Sequence, residues 1–150
     1  MTSIYFLASS KPFQLSKEII DYQKNEIYDY SMYFSISEVW EGWYEIMKPL
    51  LSMPYLYEVR GLENDAFFMY LEKQMEIGDL IELYYMHHQD WHESYIKRAI
   101  ESPEPITINV GRLTYVNQYG TYQLNAKNWI EELRHRTLVT DRGVTTIVKY

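Results

Sequence analysis

Three of the chain's four histidines fall in His87-His88-Gln89-Asp90-Trp91-His92-Glu93. Imidazole and carboxylate are the ligands that zinc, iron or manganese takes from a chain without thiolates, provided that three or four converge on one point. The metal set this stretch offers is His88, His92 and Asp90. A strand through His87 and His88 points them to opposite faces, so only one of the two meets a ligand on a following helix. In one continuous helix His88 and His92 stand at i, i+4, the spacing of helical zinc sites, but without the glutamate of an H-E-x-x-H pattern. A histidine general base is the metal-free version of the same chemistry. Its nearest hydroxyl, Ser94, has no oxyanion-forming glycine loop beside it. Both versions describe a hydrolase, and simpler roles compete with them: Asp90 as a helix cap, His87 and His92 as packed residues.

The second chemical resource is aromatic. Sixteen tyrosines, five phenylalanines and four tryptophans make up 17% of the chain. That is more tyrosine than a core of this size buries with every hydroxyl partnered, so several ring tips must reach water. Trp40, Trp43 and Tyr44 form the densest cluster, shortly after Tyr28, Tyr30 and Tyr33 and ringed by Glu38, Glu41 and Glu45. Two outcomes follow: an aromatic patch for a protein partner, or a core stripe with scattered exposed hydroxyls. The same glutamates would serve as a glycosidase acid and base only at a defined separation in space.

Other chemistries are excluded by what the chain lacks. Without cysteine there is no disulfide framework and no thiolate metal site. None of the six glycines stands in a phosphate-cradling G-x-G-x-x-G or G-x-x-x-x-G-K loop. No cofactor is expected. The net charge of -7 is unevenly laid out: residues 1–105 hold 18 acidic and 8 basic side chains, residues 106–150 hold 3 and 6. An acidic body repels a phosphate backbone and attracts basic proteins, which disfavours nucleic acid as a partner. The basic residues of the second part, Arg134, His135, Arg136 and Arg142, could contact RNA while aromatics stack on bases, although Glu131 and Glu132 dilute them.

The elements that must position these residues follow from periodicity and capping. Residues 4–9 suit a first strand, and Ser16 caps a short helix carrying Leu15, Ile19 and Ile20. Ser31 to Trp40 alternates as a half-buried strand, and a turn or two of helix around Trp43, Ile46, Met47 and Leu50 stops at Pro49. Tyr55 to Arg60 is a strand ended by Gly61. A helix then starts at Asn64-Asp65, with Phe68, Leu71 and Met75 on one face, and Gly78 closes it. Asp79 to His88 is apolar on both faces and therefore central. Asp90 and Glu93 open a helix to about Glu101, ended by Pro103 and Pro105. Ile106, Ile108 and Val110 lie out of phase with Leu113 and Tyr115, which predicts a bulge at Gly111. Asn117 to Gly120 connects a hairpin into Thr121–Leu124, Asn125 caps a helix with Ala126, Trp129, Ile130 and Leu133, and Asp141-Arg142-Gly143 turns a final hairpin into Val144–Tyr150.

Hairpins join antiparallel neighbours, so the expected fold is α+β: one domain over residues 1–150, a mostly antiparallel mixed sheet, and three to five peripheral helices. A partly closed barrel is the alternative. Gly78-Asp79 leading into Leu80–Tyr85, then a bulged long hairpin, resembles small RNA-reading barrels of the PUA-like kind, which implies RNA binding. The absence of a basic leader, of a membrane-spanning run and of cysteine points to the cytoplasm. The functional expectation is a non-catalytic intracellular binding protein of the inhibitor or immunity type. Its surface at Glu38, Trp40, Glu41, Trp43 and Tyr44 would engage a basic protein. The hydrolase at His88, His92 and Asp90 and the RNA-binding barrel are the alternatives.

Overall fold

The computed structural model describes residues 4–26, 29, 33–86 and 92–150, and His92 through its backbone alone. Among these, eight strands form one sheet: β1 (Ile4–Ser9), β2 (Ser35–Glu38), β3 (Tyr55–Arg60), β4 (Leu80–Met86), β5 (Ile106–Asn109), β6 (Thr114–Asn117), β7 (Gly120–Gln123) and β8 (Thr145–Val148). The helices are α1 (Lys17–Glu26), α2 (Glu41–Met47), α3 (Asp65–Met69), α4 (His92–Glu101) and α5 (Trp129–Arg134). A wider π turn over Tyr70–Gln74 continues α3. The sheet order is β2-β3-β1-β4-β8-β5-β6-β7. Every neighbouring pair is antiparallel except β5 with β8. The fold is the α+β class that the sequence predicts. The sheet stays open, with β2 and β7 at its two ends, so the barrel alternative does not form.

Strand alternation divides the interior into two layers. Leu7, Val59, Ile81, Leu83, Ile108 and Ile147 face one side, where Ile19 of α1, Phe67 of α3 and Leu133 of α5 cover them. Phe6, Ala8, Leu56, Tyr84 and Met86 face the other, beneath Met47 of α2 and Tyr95 of α4. Helices on both faces explain why β4 is apolar on both. Fully burying a large apolar side chain contributes about 1.5–3 kcal/mol, and a contiguous set of them in each layer holds the sheet between its helices.

Local signals fix several boundaries. The Ser16 Oγ accepts from the Ile19 N–H at 3.4 Å at the start of α1. Gly61, at φ 74°, ends β3, and a Cβ there would meet the Tyr33 carbonyl at 2.5 Å.

Three expectations are corrected. The phase slip at Gly111 is a tight turn between β5 and β6 rather than a bulge. Asn109 Oδ1 accepts from the Gly111 and Arg112 N–H groups, and Leu113 takes φ 58°. A turn and a bulge shift the apolar phase alike, which is why periodicity did not separate them. The segment after Gly143 forms no hairpin with the residues before it: β8 inserts between β4 and β5, where Ile147 pairs with both Ile81 and Ile108. β2 takes only Ser35–Glu38 from the predicted Ser31–Trp40 strand: Val39 and Trp40 leave it to lead into α2, and residues 31 and 32 lie outside the described set. Among the described residues no helix is long and apolar enough to cross a membrane.

Candidate functional site

α2 begins with an unusual residue. Trp40 occupies its N-cap with extended backbone (φ -60°, ψ 140°) and offers no side-chain acceptor to the first turn. An Asp, Ser or Asn there would satisfy an orphan N–H and is worth about 1 kcal/mol over an apolar residue. The indole is 71% exposed and lies back over Gly42, so close that a Cβ at that position would collide with it. Pro49 stands two residues beyond Met47, the end of α2, and the last turn closes through Leu50 and Leu51 N–H bonds to the Met47 carbonyl.

The helical repeat sorts the remaining side chains. Met47 is fully buried, and Trp43 is half-buried with its ring 5.4 Å from Phe6. Tyr44 turns toward β3, where with Glu38, Val39, Pro54, Tyr55 and Tyr57 it lines a groove of about 250 Å³. Glu41 and Glu45 ride the crest, exposed, four residues apart. Like charges at i, i+4 destabilise a helix by about 0.2–0.5 kcal/mol. No cation forms an ion pair with Glu38, Glu41 or Glu45 among the described residues. The structure therefore divides the predicted cluster: Glu38, Trp40 and Glu41 stand in solvent, while Trp43 and Tyr44 anchor the helix beneath them.

The basic part of the chain is arranged in the opposite way. Arg134 pairs with Asp65 and lies 4.9 Å over the Phe68 ring. Arg136 stacks over Tyr122 at 4.5 Å and Tyr115 at 5.2 Å. His135 Nε2 sits 3.2 Å from Glu131, and Arg142 is 3.8 Å from Glu104. The Tyr115 hydroxyl donates to the Thr137 carbonyl and the Tyr95 hydroxyl to the Gly143 carbonyl, each at 2.7 Å. Beside this segment opens a cleft of about 640 Å³ lined by Tyr5, Asn64, Tyr85, Arg134, Arg136 and Leu138, among others. The Tyr5 and Tyr85 ring centroids are 4.9 Å apart in it, and the buried Asn64 Nδ2 has no hydrogen-bond partner among the described residues. Arg112, in the β5–β6 turn, and Lys127, ahead of α5, do not line it.

No family model, curated protein or solved structure matches this chain.

The resolved proton affinities move away from neutrality. Burial pushes Tyr70 up to about 12 and raises Tyr84 and Tyr95 further, and it also raises Tyr115 and Tyr5. A hydrogen bond to Asp79 raises Lys11. None of these groups is tuned to trade protons near pH 7. Among the described residues no three His, Asp or Glu side chains gather around a point. His88, Asp90 and the side chain of His92 lie outside the described residues, and so does the hydrolase reading built on them.

One feature was not anticipated. Between α2 and α4 runs an apolar furrow of about 480 Å³ lined by Ile46, Pro49, Ile96 and Ile100, with Glu93, Lys97 and Glu101 along its α4 side. Ile96 and Ile100 at i, i+4 just before Pro103 carried that signal in the sequence. What hid it was that α4's partner across the furrow is set by the sheet, not by α4 itself.

Proposed function

We propose that this chain is a non-catalytic binding protein, of the inhibitor or immunity type, whose α2 ridge engages a basic segment of another protein. One observation supports it above the rest: a tryptophan that is 71% exposed lies in a stretch with Glu38, Glu41 and Glu45, which form no ion pair among the described residues even though Lys48 is exposed three residues after Glu45. The ridge carries an apolar N-cap and a like-charge pair, both unfavourable for an isolated helix. A lysine or arginine from a partner would relieve the repulsion and lie against the indole face, where a cation gains about 0.5–2 kcal/mol. Tyr44, Tyr55 and Tyr57 beside Glu38 extend the contact toward the sheet edge.

The test uses a fluorescent, unstructured peptide rich in lysine and arginine, with a glutamate-rich peptide of equal length as control. Binding of the basic peptide alone is expected, weakening several-fold between about 0.05 and 0.5 M salt as surface charges are screened. Trp40→Ala and the triple variant Glu38→Gln, Glu41→Gln, Glu45→Gln should each lower affinity about tenfold or more while leaving the melting temperature within a few degrees, since all four side chains are exposed. Undiminished binding by both variants would remove the ridge from consideration.

A further inference from the structure

We infer that the cleft beside the segment after α5 binds a small zwitterion carrying a flat ring, the chemistry of an aromatic amino acid, through Tyr5, Tyr85, Glu63 and Arg136. This site is separate from the α2 ridge. Tyr5 and Tyr85 stand opposite each other across β1 and β4, on the face that carries Leu7 and Leu83 two residues further along. Leu7 and Leu83 are fully buried under the helices of that layer, whereas the two tyrosines are half-buried, so the cover over them is incomplete. The turn after β3 supplies one wall: the Asn64 N–H bonds to the Gly61 carbonyl at 3.0 Å, and Glu63 between them lines the cleft. Arg134, His135 and Arg136 supply a second wall. The volume of about 640 Å³ falls in the range of pockets that enclose a small molecule. Its floor stands on two central strands, which position side chains more precisely than loops do.

Charge selects the ligand. Glu63, Arg134, His135 and Arg136 are the acidic and basic side chains of the lining. Two of them are already answered from outside it: Arg134 by Asp65 and by Glu131 at 3.8 Å, and His135 by Glu131 at 3.2 Å. Glu63 and Arg136 form no ion pair among the described residues. Glu63 is exposed, and its charge reaches the Tyr5 hydroxyl, whose proton is held by burial first, then by Tyr85 and by Glu63. Arg136 rests on the rings of Tyr122 at 4.5 Å and Tyr115 at 5.2 Å. Those contacts fix the guanidinium without neutralising it, and its N–H fork keeps room for a carboxylate. One unmatched carboxylate and one unmatched guanidinium in a single cleft call for a ligand with one ammonium and one carboxylate. A plain anion would be repelled by Glu63 and a plain cation by Arg136. The 4.9 Å tyrosine pair gives the ligand's ring an aromatic surface to pack on.

The probe is free L-phenylalanine, followed by backbone amide resonances at concentrations up to about 10 mM. Shifts are expected at Tyr5, Glu63, Tyr85 and Arg136. N-acetyl-L-phenylalanine lacks the ammonium, L-phenylalanine amide lacks the carboxylate and L-alanine lacks the ring; each should bind at least fivefold more weakly. Glu63→Gln changes an exposed side chain, so the melting temperature should hold. It should weaken phenylalanine at least fivefold and leave the N-acetyl compound within twofold. Arg136→Gln should weaken phenylalanine and leave the amide within twofold.

Arg136 also covers Tyr115 and Tyr122, so a poorly folded Arg136→Gln protein passes the decision to Glu63→Gln and the three analogues. Phenylalanine that shifts none of the four amides overturns the proposal. Equal affinity for phenylalanine and its N-acetyl form, unchanged in Glu63→Gln, reduces the cleft to an anion site and overturns it too. Equal affinity for alanine removes the tyrosine floor from the ligand's contacts and likewise overturns it.

Discussion

The α2 ridge and the segment from Arg134 to Arg142 are both charged and both aromatic, but they dispose of those resources in opposite ways. On the segment each cation described above has a partner within the fold: Asp65, Phe68, Tyr115, Tyr122, Glu131 or Glu104. On the ridge the carboxylates have no ion pair among the described residues, and the indole projects into water. Residue type is therefore a poor guide to function here. The decisive variable is whether a charge or a ring is already satisfied internally, because satisfied groups have little left to offer a partner.

The largest effect that separates the two regions is expected at Tyr115. Its ring is 2% exposed beneath Arg136, and its hydroxyl is bonded to Thr137. Tyr115→Ala should lower unfolding stability by about 3–5 kcal/mol, measured by urea denaturation. A loss below about 1 kcal/mol would mean the segment is not structural, and the contrast would fail.

Alkaline pH gives the next largest effect. Burial favours the neutral hydroxyl, so Tyr70 stands near 12 in the fold against about 10 in the unfolded chain. Its contribution is complete below pH 10 and is lost as pH rises through about 12. The loss is roughly 2–3 kcal/mol for this residue. Tyr95 and Tyr115 are raised as well, and both donate to the segment's backbone. Stability should stay flat from pH 7 to about 9.5 and then drop, measured by urea denaturation at each pH. Tyr84, also raised by burial, donates to the Leu50 carbonyl just past the end of α2, so hydrogen exchange should rise in α2 as well as over residues 134–144; protection that persists in either region would separate the two.

The smallest effect has the opposite sign. Trp40→Asp supplies the missing cap acceptor and a favourable charge at the start of α2, so the protein should gain about 1 kcal/mol while binding to the basic peptide weakens. A stability loss instead would show the exposed indole to be structural.

Much of the fold was legible in the sequence, for local reasons. Tyr55 to Arg60, ended by Gly61, matches β3 residue for residue because a left-handed glycine leaves little freedom over where a strand stops. The apolar faces of β4 placed it centrally, and the pairing of Asn117 with Gly120 closes the predicted hairpin. Non-local choices were not legible. Nothing in Thr145–Val148 distinguishes a hairpin with its predecessors from insertion between strands that precede it by many residues.

The candidate site was partly legible. The composition of Glu38 to Tyr44 drew attention to the ridge, yet the split between the exposed Trp40 and the half-buried Trp43 depends on where Phe6 lies, and only the sheet decides that. The π turn after α3 had no periodicity to announce it. Its Gln74 side chain bonds to both Ser16 and Gln14, far away in sequence.

The position of β8 has a consequence for biosynthesis. Ribosomes deliver this chain in order, so β2-β3-β1-β4 and β5-β6-β7 emerge as two separate platforms with no backbone ladder between them. Each shows a bare lip, along β4 in one and β5 in the other, until residues 145–148 arrive and stitch both at once. Nascent chains stalled short of that stretch carry two adhesive margins that the finished molecule does not have.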